Sequence, residues 1–181
     1  MSEIRRAFRG AWRLAHADPG GLALFDRSVD GFWRSFRAAL VVAPAYAVQL
    51  ALQFTARPPA AGWARVVAVE AIAYAVGWLA FPVVMHWVCR LLGREEAYVG
   101  YIVAYNWSSL VQVLVWMPAL LLAYAGLGVL VLLAGQIGLL VYQWFIARTA
   151  LAIDGLSAAA VAGLDLVLGY AIGSLADSMT Y

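Results

Sequence analysis

Apolar residues recur at helical spacing over the first 37 positions and then run on with scarcely a break, and that change divides the chain. Over residues 3–17, Ile4, Phe8, Ala11, Trp12 and Ala15 fall on one helical face, while Arg5, Arg6, Arg9, Arg13 and His16 share the other. This pattern predicts a helix lying in a membrane interface, its apolar face in the acyl boundary and its arginines toward anionic headgroups. Asp18-Pro19-Gly20-Gly21 ends it. A second amphipathic stretch sets Phe25, Val29, Phe32, Trp33 and Phe36 against Asp26, Asp30, Arg34 and Arg37, with Asp30 and Arg34 in favourable i,i+4 order. It reads as a second interfacial helix or a lead-in to a membrane span.

Beyond residue 37 the chain offers apolar segments at about 38–56, 66–89, 99–124, 127–147 and 158–176. Glu70 and Asp165 are the formal charges inside them. The run from Val99 to Ala147 holds no Asp, Glu or Arg, and as one helix it would reach ~74 Å, against a hydrocarbon core of about 30 Å. It must fold back, and the glycines of Tyr124-Ala125-Gly126-Leu127-Gly128, after Pro118, permit the turn. The expected fold is therefore an all-α polytopic membrane bundle: five transmembrane helices (38–181) preceded by an Arg-rich amphipathic segment (1–37).

Composition supports this. The chain is 65% hydrophobic and 12% charged with a mean hydropathy of +0.84, whereas globular chains average roughly 45–50% apolar and about 25% charged. A water-soluble fold of this length would lack the polar residues to cover its surface. Arginine placement then sets an expected orientation. With the N-terminus inside, ten of the twelve arginines are cytoplasmic, and only Arg57 and Arg65 are outside. That orientation puts the C-terminus outside; the lack of Lys, the compact loops and the charge pattern together suggest a bacterial inner membrane, with a periplasmic C-terminus. Trp63, Trp87, Tyr142 and Trp144 fall near expected span ends, as interfacial aromatics do.

Several function classes drop out. There is no Lys, so Schiff-base and P-loop chemistry are excluded. A single cysteine, Cys89, rules out an internal disulfide and multi-Cys metal sites, and His86 with Cys89 gives only two ligands. No nucleophile elbow, zincin, Walker or dinucleotide motif is present. Catalytic residues, metal and cofactor are accordingly not expected. Ser2–Arg9 (SEIRRAFR) is similar to a twin-arginine export signal, but charged residues continue to Arg37 where such a signal needs an apolar core. The spacing of Phe8 and Trp12 opposite the arginines favours lipid headgroups over nucleic acid.

The candidate sites are polar groups inside the spans. An intramembrane carboxylate usually faces a cavity or partner helix, which makes Glu70 and Asp165 the first candidates. Glu70 also has a plainer reading as a snorkelling group near Arg65. Asp165 sits on a face with Ala158, Ala162, Gly169 and Gly173, where small residues would let another helix approach closely. There it serves either as a buried acceptor in a helix contact or as a proton or ligand site. Tyr105, Asn106, Ser108, Ser109 and Gln112 cluster in the third span, and Gln136 and Gln143 share a face of the fourth. Such groups need partners in lipid, and one internal network would supply them, as glue or as a substrate path. Pro44, Pro82 and Pro118 predict ordinary kinks.

Leu92-Gly93, Ala104-Tyr105 followed by Pro118, and Gly155-Leu156-Ser157 before an alanine-rich helix form a pattern over roughly residues 75–175 that resembles bacterial members of the Ypt-interacting-protein (YIP) domain family. The resemblance implies a five-helix bundle without catalytic residues. Eukaryotic relatives are associated with small GTPases and vesicle traffic through a long cytoplasmic N-terminal domain, which is not expected here. The first functional expectation is a non-enzymatic membrane scaffold or interaction protein, held on anionic headgroups by Arg5, Arg6, Arg9 and Arg13. The alternative is a small transporter, channel or lipid-moving protein that uses the intramembrane carboxylates as a homo-oligomer; a membrane-protein partner is the other association expected.

Overall fold

The computed structural model describes residues 3–181; Ser2, at the head of the twin-arginine-like stretch, lies outside them. Seven α-helices follow one another: α1 (Glu3–Ala15), α2 (Val29–Ser35), α3 (Arg37–Ala56), α4 (Trp63–Leu91), α5 (Tyr98–Leu122), α6 (Val129–Leu151) and α7 (Gly155–Thr180). Five stretches are long and apolar enough to cross a membrane: Val29–Ala56, Trp63–Leu91, Glu95–Leu127, Val129–Leu151 and Gly155–Thr180. The protein is a multi-pass helical membrane protein. Each span runs further than its uncharged core, because polar residues at a helix end sit at headgroup level and need not interrupt the helix.

Local chemistry explains the boundaries. Ser28 caps α2, its Oγ accepting from the Gly31 N–H at 3.0 Å, and α2 runs into α3 through the single residue Phe36. The second amphipathic stretch is thus the start of the first span. The long uncharged run turns where its glycines fall: a π-helical turn covers Ala123–Leu127, with Gly126 at φ +98° and Gly128 at φ +75°. Those left-handed values favour a residue without a Cβ. Asp154 caps α7, accepting from the N–H groups of Leu156 and Ser157 and from the Ser157 hydroxyl at 2.6 Å. These bonds, the hydroxyl's foremost, hold its carboxyl below the ordinary carboxylate range.

The contiguous buried core lies in one half of the bundle. Phe81, Met85, Ile102, Trp107, Ile146 and Leu151 are fully buried, all in the half of α4, α5 and α6 nearest α1. There α1 closes the bundle by packing on α5 and α6. Its contact face is Ala7, Gly10, Ala11 and Leu14. Tyr142 Oη donates to the Ala11 carbonyl at 2.8 Å. Gly10 and the following Pro19–Leu24 turn meet closely, since a Cβ on Gly21 would lie 2.5 Å from the Gly10 carbonyl oxygen.

Three sequence expectations need correction. The apolar arc of α1 is divided: Ala11 is buried against the bundle, while Ile4, Phe8 and Trp12 stay exposed beside Arg5 and Arg9. Arg34 forms ion pairs with Glu3, at 3.0 Å, and with Asp26 rather than with Asp30, because α1 brings Glu3 within reach. Tyr142 is buried and bonded to α1 instead of lying in an aromatic belt, as α6 continues nine residues beyond it.

Candidate functional site

The far half of the bundle is hollow. Among the described residues, α3 packs on α5, α4 on α7, and α6 on both α5 and α7, while the α3 and α4 backbones stay apart and meet through side chains. The space left between α3, α4, α5 and α7 is a cavity of about 530 Å³. Each helix supplies one stripe at i, i+3/4, i+7 spacing, the set that shares a helical face. From α3 come Tyr46, Gln49 and Gln53; from α4, Glu70, Tyr74, Gly77 and Trp78; from α5, Tyr105, Ser109 and Gln112; from α7, Gly169, Gly173 and Asp177.

Two carboxylates face this space, and no basic side chain lines it. Glu70 is 7% exposed, and its Oε2 accepts from Tyr46 Oη at 2.8 Å. It forms no ion pair with Arg65, so the snorkelling reading is set aside in favour of a cavity-facing group. Asp177 Oδ1 accepts from Gln53 Nε2 at 3.2 Å. Gln49 Oε1 accepts from Trp116 Nε1 at 3.0 Å, and Tyr74 Oη donates to the Ala39 carbonyl at 2.6 Å. The rings of Tyr46 and Tyr74 lie 4.8 Å apart, with Trp78 next along. Aromatic faces beside carboxylates attract cations through both ring quadrupole and charge. Outside the cavity lining, where α3 and α7 end, the Arg57 guanidinium is held 3.9 Å over the Tyr181 ring.

Asp165 lies behind the cavity wall. Its Oδ1 accepts from Tyr105 Oη at 2.6 Å and its Oδ2 from Gln143 Nε2 at 2.7 Å, so one carboxylate ties α5, α6 and α7. On its other side is a smaller hollow of about 340 Å³ that Gln112, Gln136 and Gln143 also line. Glu70 and Asp165 therefore do not share a cavity; Tyr105 stands between them, lining the larger space and donating to Asp165.

Of the predicted polar residues, Glu70, Tyr105, Ser109 and Gln112 reach the main cavity, and Gln136, Gln143 and Asp165 the smaller one. Asn106 does neither. It is fully buried and donates to Ser35 Oγ at 2.8 Å, joining α5 to α2. The small-residue face of α7 also departs from expectation. Ala158 and Ala162 are buried in helix contacts, but a Cβ on Gly169 or Gly173 would meet nothing within 4 Å. Those glycines leave room for the cavity instead of a neighbouring backbone. Tyr46, Gln49, Gln53, Tyr74, Trp78 and Asp177 were not singled out from sequence, although the polar stripe at 46, 49 and 53 in an apolar helix was there to be read.

Fold and site together define a five-span helical membrane protein with an acidic, aromatic-lined cavity inside a single chain. No protein-family model, curated protein or solved structure matches it.

Proposed function

We propose that the protein is a small membrane transporter or carrier whose main cavity binds a cationic organic group. The observation that carries this reading is the pairing of Glu70 and Asp177 with Tyr46, Tyr74 and Trp78 in one cavity of about 530 Å³ that no arginine lines. Glu70 is buried and Asp177 half-buried, and neither has a cationic partner, an arrangement that is costly for Glu70 inside a membrane. A bound cation would offset that cost, and the rings would add about 2 kcal/mol where the ion is desolvated. Since the cavity is built within one chain, binding needs no second copy. This favours the transport alternative over the scaffold that the sequence suggested first.

One observation still supports the scaffold reading: the exposed Ile4, Phe8 and Trp12 stripe beside Arg5 and Arg9 suits attachment of α1 to anionic headgroups. The two roles are compatible. We also place the chain in a bacterial inner membrane with α1 on the cytoplasmic side, a reading supported by the division of the arginines, ten against two. The YIP-like resemblance is carried forward as a proposal supported by the five-helix count, and it has no bearing on the ligand.

Calorimetry of the purified protein with benzyltrimethylammonium tests the cavity directly. Saturable binding is expected, weakened at least ~10-fold by Glu70→Gln or Asp177→Asn, each worth one charge contact of ~1.4 kcal/mol or more. Proteoliposome flux of the same cation then separates a carrier from a binding protein. Absence of saturable binding, or binding untouched by both substitutions, would refute the assignment.

A further inference from the structure

The main cavity has a thin wall on its α3/α4 side. Beyond that wall lies an apolar groove of about 240 Å³, with Phe54, Trp63, Val67 and Ala71 among its lining. Tyr46, Glu70 and Tyr74 line both spaces. Consecutive helices usually pack closely together, yet here the α3 and α4 backbones stay apart. Side chains close their seam: the Tyr46 and Tyr74 rings at 4.8 Å, Phe54 against Trp63 at 5.9 Å, and the Tyr46 Oη–Glu70 bond at 2.8 Å. Val67 is 66% exposed and Trp63 63% exposed within apolar spans, so the groove faces lipid.

We infer that the ligand is a cationic amphiphile, its charged head in the acidic cavity and its alkyl chain lying in the α3/α4 groove, admitted sideways from the lipid past the Tyr46–Glu70 bond. This rests on the cation-binding reading of the cavity and names the ligand class. Two observations choose the occupant. The cavity's carboxylates complement a positive head, and the groove that continues from Glu70 is apolar and lipid-facing, which suits a chain. A chain gains little free energy by moving from lipid into such a groove, because lipid tails are as apolar as the groove wall. The groove's contribution is therefore geometric: the head reaches Glu70 without a chain being drawn through polar space. Chain position, rather than an affinity increment per methylene, is the quantity that reports on it.

The test uses the full-length protein in alkyl maltoside micelles, whose heads carry no charge, with a dodecyltrimethylammonium bearing a diazirine at the chain end. Photolabel is expected on residues 47–54 and 63–71, falling at least ~10-fold when benzyltrimethylammonium saturates the cavity, a loss of ~1.4 kcal/mol. Ala71→Trp, which fills the groove, should remove the same label, and Ala47→Trp is the second variant if the first does not fold. Benzyltrimethylammonium titration of each variant reports on the cavity independently. If that short cation binds but label spreads over the lipid-facing helices, or stays in the groove without being displaced, the amphiphile assignment falls and the cavity reading stands. If the short cation does not bind, both fall.

Discussion

Replacing Asp165 by leucine removes the one group that accepts from both Tyr105 and Gln143, leaving a phenol and an amide without their partners between α5, α6 and α7. Interhelical hydrogen bonds in membranes average about 0.6 kcal/mol and reach about 1.7. Bonds to a charged acceptor lie at the upper part of such ranges. Two short bonds of 2.6 and 2.7 Å therefore predict a loss of ~2–3 kcal/mol for Asp165→Leu. Asp165→Asn should cost under ~1 kcal/mol, since the amide oxygen still accepts from Tyr105 and Gln143 can turn its amide to accept from the new NH₂. Reversible unfolding in bicelles, followed by helical circular dichroism, measures both. A double-mutant cycle with Tyr105→Phe isolates the pair, for which coupling of ~0.5 kcal/mol or more is expected. Additivity of Tyr105→Phe and Asp165→Leu within ~0.3 kcal/mol, or an asparagine variant as damaged as the leucine one, would defeat the view that Asp165 is a three-helix tie. The second result would instead mean that its charge is used.

Two further outcomes follow from particular side chains. Gly173→Leu places a side chain in the cavity from a position where a Cβ meets nothing within 4 Å; stability should hold or rise by up to ~1 kcal/mol through helix propensity, while benzyltrimethylammonium affinity drops at least ~10-fold by calorimetry. At the α7 cap, Asp154 is held below its ordinary range by Ser157 and the first N–H groups of the helix. Because its folded value is the lower one, its stabilisation is present above about pH 4, the unfolded carboxylate value, and is lost as pH falls through the folded value. Asp154→Ala should remove that acid-sensitive component, so that wild-type and variant unfolding midpoints, measured from pH 6 downward, converge.

The architecture was legible because lipid leaves few choices: scarcity of charge marked every span, and Gly126 and Gly128 marked the turn within the longest uncharged run. What the sequence hid was which apolar face meets protein and which meets lipid. In water an apolar stripe points inward, but in a bilayer both environments are apolar and the stripe loses its meaning. Hence α1 could not be divided in advance into Ala7, Ala11 and Leu14 against protein and Ile4, Phe8 and Trp12 toward lipid. Glycine was ambiguous for the same reason. Gly10 and Gly21 permit backbones to meet, whereas Gly169 and Gly173 leave a void, and both uses look alike in one dimension.

The polarised packing connects these features to the proposed activity. Where α1 closes the bundle, the fully buried Trp107, Phe81, Met85 and Ile146 fill the space between α4, α5 and α6. In the other half, three cavity-lining glycines, Gly77, Gly169 and Gly173, stand where a side chain would have room. A fold under selection for stability alone would fill that room, because side chains there would add the van der Waals contacts that drive helix association in a bilayer. It would also avoid Glu70, whose burial costs free energy that a single tyrosine hydrogen bond offsets only in part. Both departures occur at one place, in the same four helices. The dense half, tied by Tyr105, Gln143 and Asp165 at its edge, then has the role of holding those helices apart so that the hollow half stays open. This links the two substitutions mechanistically: if Asp165→Leu loosens the tie, cation affinity should fall along with stability, whereas Gly173→Leu should separate the two.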